Sequence, residues 1–142
     1  MASISLKKLV DKMKLENLTT EIDVESKRIT QSDLNRPALQ LAGYFYHFEP
    51  MRLQVMGNVE MSYLQKLTHE ERAITFDRLF AYRFPALLIS RNMEPDPKCL
   101  EMARKYNVTL LRSKEATSTI VSDIIAWLKA ALAPSITRHG VL

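Results

Sequence analysis

The sequence predicts an α/β domain in which a mainly parallel sheet is flanked by helices. A short continuous apolar run, Ala86 to Ser90, has the form of a strand covered on both faces, and Val108 to Leu111 reads as another buried strand. Segments with apolar residues at helical spacing lie around and between them, so strands and helices alternate, the order that builds parallel sheets with right-handed crossovers. The 142 residues are enough for one core and too few for two.

Each element can be justified in turn. Leu6, Leu9, Val10 and Met13 recur at helical spacing, and Ser3 or Ser5 is placed to accept the orphan N–H groups of a first helix. Ile22, Val24 and Ile29 fall among polar residues, which predicts a short strand pair or one strand broken near Ser26. Ser32 and Asp33 offer capping oxygens, Pro37 suits a first helical turn, and a short helix from Pro37 to Ala42 closes at Gly43. A strand from Arg52 to Met56 then ends in a Gly57-Asn58 turn. Val59 to Phe80 is helical in period, but Thr68 and Glu71 make a capping-box pair that starts a second helix. Pro85 stops that pattern ahead of Ala86 to Ser90. The turn Glu94-Pro95-Asp96-Pro97 opens a helix through Lys105, and Val108 to Leu111 follows as a strand. Thr117 to Ala133 is a long helix with Ile120, Ile124, Trp127, Leu128 and Ala131 on one face. Residues 1–133 therefore read as one domain. Pro134 to Arg138 reads as a linker, and the run to Leu142 as the opening strand of something further, as in a piece of a longer protein.

Composition excludes several function classes. Three glycines (Gly43, Gly57, Gly140) stand where average usage would supply about ten, and there is no G-x-x-x-x-G-K-[ST], so the chain carries no glycine-rich phosphate loop. Cys99, the one cysteine, cannot form an internal disulfide, and no apolar run reaches the ~18 residues of a membrane span. Met1 to Leu15 is lysine-rich but lacks the apolar core and cleavage site of a signal peptide, so the cytoplasm is the expected compartment and no membrane partner is expected. The net charge of +4 resides in residues 81–142, where nine Lys and Arg face five Asp and Glu; residues 1–80 hold eleven of each. The basic residues of the second part, Arg91 among them, are spread over several elements without interleaved aromatics. That pattern fits a solvated surface, and nucleic acid is not an expected partner.

Few residues invite chemistry. His47, His69 and His139 show neither H-x-x-x-H spacing nor a Cys/His cluster, so no metal site is expected. His69 reads as a solvated residue at a helix start. His47 lies in the aromatic run Tyr44 to Phe48, which could stack on a ligand, although core packing with polar tips at the rim is the commoner fate. Cys99 follows Lys98 at a helix start, but with no base beside it the reading is a half-buried structural thiol. Asp33, Glu49 and Glu60 read as caps and surface charges. Asp33, Asn35 and Arg36 form a polar loop able to bind an anion, and turn chemistry uses the same residues.

Beyond this, the stretch Asn35 to Leu64, NRPALQLAGYFYHFEPMRLQVMGNVEMSYL, resembles the N-terminal domain of HPr kinase/phosphorylase, with its R-P-G, L-x-L-A-G-Y-F, Q-x-x-G and S-Y-L motifs. The likeness continues through Pro85 to Arg91, the Glu94-Pro95 turn, Leu110-Leu111-Arg112 and Leu132-Ala133-Pro134, then His139-Gly140-Val141-Leu142. Ala38 stands where the family often has glycine. The resemblance implies a fold similar to the N-terminal domain of Mur ligases, within a bifunctional enzyme of carbon catabolite regulation. Such an enzyme uses ATP or pyrophosphate to phosphorylate a serine of HPr, a phosphocarrier protein, and phosphate to remove that group. Its chemistry would lie in a C-terminal P-loop kinase domain with magnesium, of which residues 134–142 are at most the beginning. The fragment alone is expected to be inactive and to hold no cofactor. His139 matches the family's active-site histidine, and a hexamer is expected of the full-length enzyme. For this domain two readings stand open: a regulatory and architectural module, or a sensor that binds a small anion at the carboxyl ends of the strands.

Overall fold

Alternation along the central strands sets the layers of this computed structural model, which describes residues 2–134. The elements run β1 (Ile4–Ser5), α1 (Leu6–Met13), β2 (Glu16–Asn17), β3 (Arg28–Ile29), β4 (Leu34–Asn35), α2 (Ala38–Leu41), β5 (Leu53–Met56), α3 (Asn58–Gln65), α4 (His69–Phe80), β6 (Ala86–Ile89), α5 (Pro97–Lys105), β7 (Thr109–Arg112) and α6 (Thr117–Ala131). A five-stranded sheet has the order β2-β7-β6-β5-β4. β4 to β7 are mutually parallel, and β2 joins β7 antiparallel at the edge. β1 and β3 form a separate antiparallel pair, with Ile4 opposite Ile29.

Successive side chains of a strand point to opposite faces, so the buried runs feed two cores. Leu53, Val55, Ala86, Leu88 and Leu111 face Leu6, Leu9, Ile120, Ile124 and Leu128 of α1 and α6. Met56, Leu87, Ile89 and Leu110 face Leu64, Phe76, Leu79, Phe80, Cys99 and Met102 of α3, α4 and α5. Every residue of β5 and β6 is buried. Gln54, in the middle of β5, is buried without loss because Asn35 Nδ2 donates to its Oε1 at 2.6 Å and its Nε2 donates to the Arg52 carbonyl at 2.9 Å.

The expected helix starts are present. Ser5 accepts the Lys8 N–H at 3.2 Å, and Thr68 and Glu71 exchange reciprocal bonds at 3.2 and 2.7 Å. Pro97 opens α5, with Asp96 accepting from the Lys98 N–H.

Several expectations are corrected. Ile22 and Val24 lie outside any strand, and only Arg28–Ile29 pairs as one, because the chain from Val24 to Lys27 bonds the first amides of α1. β2 and β4 went unforeseen: each is two residues long, too short for alternation to register. Ser32 and Asp33 cap nothing, since the short helix α2 starts from Pro37 without a side-chain cap. Gly57-Asn58 is the entry to α3 and not a turn that ends a strand in a loop. α6 stops at Ala131, which is exposed. The expected linker and strand beyond Pro134 lie outside the described residues. Among the described residues no helix is long and apolar enough to cross a membrane.

Candidate functional site

The carboxyl ends of β4, β5 and β6 deliver Arg36, Gly57 and Ser90-Arg91 to one edge of the sheet, where α3 and α6 begin. There they border a groove of about 320 Å³ lined by Arg36, Asn58, Val59, Arg91, Thr117, Ser118 and Val121. This is where open α/β sheets place their ligands.

A buried carboxylate organises one wall. Glu60, in the first turn of α3, is 1% exposed and takes Arg36 in a two-pronged pair, Nε to Oε2 at 3.0 Å and Nη2 to Oε1 at 2.6 Å. Its Oε1 also accepts the Gly57 N–H at 2.8 Å, the half of a capping box that a glycine N-cap permits. Two of the guanidinium's nitrogens are thus committed to Glu60, and Nη1 lies outside the pair. Gly57 is required by close approach. A Cβ there would meet Thr117 Oγ1 at 2.6 Å and Arg36 Nη2 at 2.8 Å.

The opposite wall is built on β6. Ser90 and Thr117 share a hydrogen bond at 2.6 Å, both buried, and Ser90 also donates to the Met56 carbonyl at 3.3 Å. Arg91 and Asn92 are both left-handed, with φ of 58° and 53°. The Arg91 N–H donates to the Glu115 carbonyl at 2.8 Å, tying this turn to the segment that leads into α6. Ala116 at the N-cap offers α6 no side-chain acceptor, so the orphan amides of its first turn are left to other partners.

The sequence-derived candidates fall in varied places. Glu60 is no surface charge; its burial depends on Arg36, 24 residues earlier and invisible as a partner in sequence. Asp33 and Glu49 do come together, on Arg52, at 3.7 and 2.6 Å, as a surface ion cluster. Of the polar loop Asp33, Asn35 and Arg36, only Arg36 reaches the groove. His47 is exposed with φ of 64°, and His69 is exposed. Tyr44 and Tyr46 are exposed too, against the expectation of core packing, while Phe45 and Phe48 pack on Tyr82 with ring centroids at 4.7 and 5.1 Å. Cys99 is fully buried, not half-buried, and burial, with the Asp96 charge adding to it, pushes its thiol pKa far up, the opposite of an activated nucleophile. His139 lies outside the described residues. Among those residues no three His, Cys, Asp or Glu side chains gather as a metal site. Arg91, Thr117 and Gly57 were missed as site residues. The available signal was their position, immediately after apolar strands or at the start of a helix.

Comparison with known proteins gives the chain its relatives. A family model described as HPr Serine kinase N terminus matches residues 4–128. HPr kinase/phosphorylase of Lachnoclostridium phytofermentans is 42% identical over the whole chain, and that of Caldicellulosiruptor bescii is 41% identical over 95% of it. The chain spans 46% and 43% of those two relatives' lengths. Among solved structures, the CBS and DRTGG domains of the regulatory region of Clostridium perfringens pyrophosphatase, complexed with the activator diadenosine tetraphosphate, superpose with a TM-score of 0.57 over 85% of this chain and 45% of that one. At 19% identity that likeness shows the fold alone. The α/β architecture, the match over residues 4–128 and the alignment with less than half of each relative lead to one conclusion: this chain belongs to the HPr kinase N-terminal domain family.

Proposed function

We propose that this chain is the N-terminal, non-catalytic module of an HPr serine kinase/phosphorylase. One observation carries the reading: the chain aligns throughout its length with less than half of relatives bearing that name. In the whole enzyme the reaction would move a phosphoryl group from ATP or pyrophosphate to a serine hydroxyl of HPr, and from phosphoserine to phosphate in the reverse sense. Phosphoryl transfer of this kind needs a phosphate cradle and magnesium ligands. The sequence holds no P-loop motif, and no magnesium chemistry is assigned to its described residues. The module's own part is regulatory and architectural, in a cytoplasmic enzyme that assembles as a hexamer. The exposed Tyr44, Tyr46 and Tyr82 supply an apolar surface suited to packing against other parts of that assembly. His139, by its place in the family's His-Gly-Val-Leu motif, would stabilise phosphoryl charge in the kinase domain.

The test is transfer of label from radioactive ATP to HPr. The 142-residue chain should transfer none, and in the full-length enzyme His139→Ala should slow both directions, which share one transition state. Label that scaled with the concentration of the short chain would overturn the reading. A second reading, a sensor of small anions, is favoured by the cationic groove at the carboxyl edge.

A further inference from the structure

We propose that the groove between α3 and α6 binds a phosphoryl dianion, either inorganic phosphate or the phosphate group of a small monoester. The proposal names the ligand of the sensor reading and rests on that reading for its regulatory meaning.

The two guanidinium groups lead the argument. Arg36 is aimed by its two bonds to Glu60, which fix the plane of the guanidinium and keep Nη1 outside the pair. Arg91 has neither an ion pair nor a side-chain hydrogen bond to another described residue, and its backbone is fixed by the Glu115 carbonyl. A planar fork held in place suits the tetrahedral oxygens of a phosphoryl group. Among the described residues no carboxylate lines this groove.

In three of the molecule's other grooves, lining cations have partners of their own. Arg72 is neutralised by Asp96 at 3.2 Å, and Arg112 by Glu16 and Glu94, each at 2.9 Å. Lys27 and Arg83 donate to the carbonyls of Asn107 and Tyr106, and Arg28 to Ser3. The groove between α3 and α6 is set apart by one arginine aimed through Glu60 and a second, Arg91, that has no side-chain partner among the described residues.

The remaining lining narrows the ligand. The Ser118 hydroxyl, the Asn58 amide and the first-turn N–H groups of both helices are donors suited to anion oxygens. Among the described residues no aromatic side chain lines the groove to stack a base, and about 320 Å³ suits a phosphate with a few carbons better than a nucleotide. Val59 and Val121 give those carbons an apolar wall.

The test is a titration of the isotope-labelled 142-residue chain, read by backbone amide resonances, with inorganic phosphate, glycerol phosphate and acetate at constant ionic strength. Phosphate and glycerol phosphate should give saturable shifts at Asn58, Val59 and Ser118. Tighter glycerol phosphate would identify an ester as the natural source, and tighter inorganic phosphate the free ion. Arg91→Gln, which removes an exposed charge that has no side-chain partner among the described residues, should weaken binding about tenfold, the loss of one charge-assisted contact. Lys12→Gln, with the same change in net charge on α1, should leave it unaltered. Acetate binding as tightly as phosphate, equal losses in both variants, or first shifts at Lys27, Arg28 and Arg83 would overturn the proposal. The kinase reading fails or stands on the label-transfer assay alone, so the two failures are distinguishable.

Discussion

Glu60 is a carboxylate that water does not reach, and its environment explains what it tolerates. Its oxygens are shared between the Arg36 guanidinium and the Gly57 N–H, so the buried charge is compensated on the spot. The two partners are not equivalent, because the Arg36 side chain is 41% exposed and Glu60 1%. Arg36→Ala strands the carboxylate with one amide donor and should cost about 3 kcal/mol. Glu60→Gln leaves a guanidinium that can turn to water, and should cost about 1 kcal/mol. Chemical denaturation of both variants checks the order; an equal loss, or a larger one for Glu60→Gln, would mean that the pair does not hold the wall of the groove. None of this was legible in sequence. Glu60 looked like any glutamate of a helix's first turn, and the reason for its burial sits on another strand. Gly57 was likewise read as turn chemistry, when its lack of a Cβ leaves room for the side chains of Arg36 and Thr117.

At the scale of elements, the signals that succeeded were those whose cause is local. Thr68 and Glu71 bond each other three residues apart, and Pro97 presets the first turn of α5, so both helix starts could be read directly. Ala86 to Ile89 has no polar residue because both of its faces are covered, and the sequence shows that as an unbroken run. β4 could not be read in the same way: Leu34–Asn35 is held by its register with Leu53 and Gln54, a long-range fact. The coverage of β6 has a measurable consequence. Leu88, 3% exposed, packs among the residues of α1 and α6. Leu88→Ala should cost about 2–5 kcal/mol as a buried leucine deletion. An unchanged denaturation midpoint would contradict a strand covered on both faces.

At the scale of the molecule, the domain presents two distinct surfaces: a cationic groove at the carboxyl edge of its sheet and an exposed aromatic loop around Tyr44 and Tyr46. The aromatic run was visible in sequence, but its exposure was not, because hydrophobicity alone does not say which side of a loop faces the core. The groove was foreseen only as a place, the carboxyl edge, and as one of its residues, Arg36. Arg91 was hidden among surface charges, since its position comes from a left-handed turn joined to Glu115. Among the described residues neither surface gathers a metal-ligating cluster, in keeping with the proposal that this module regulates while the rest of the enzyme carries the catalysis. The direct measurement is HPr phosphorylation by the full-length enzyme with and without residues 1–133, each assayed across a phosphate series. The shortened enzyme should still phosphorylate HPr but lose the part of the phosphate response that Arg91→Gln also removes from the whole enzyme. Loss of phosphoryl transfer by a shortened enzyme that is shown to be folded and to bind ATP would place catalytic groups in this chain and contradict that proposal.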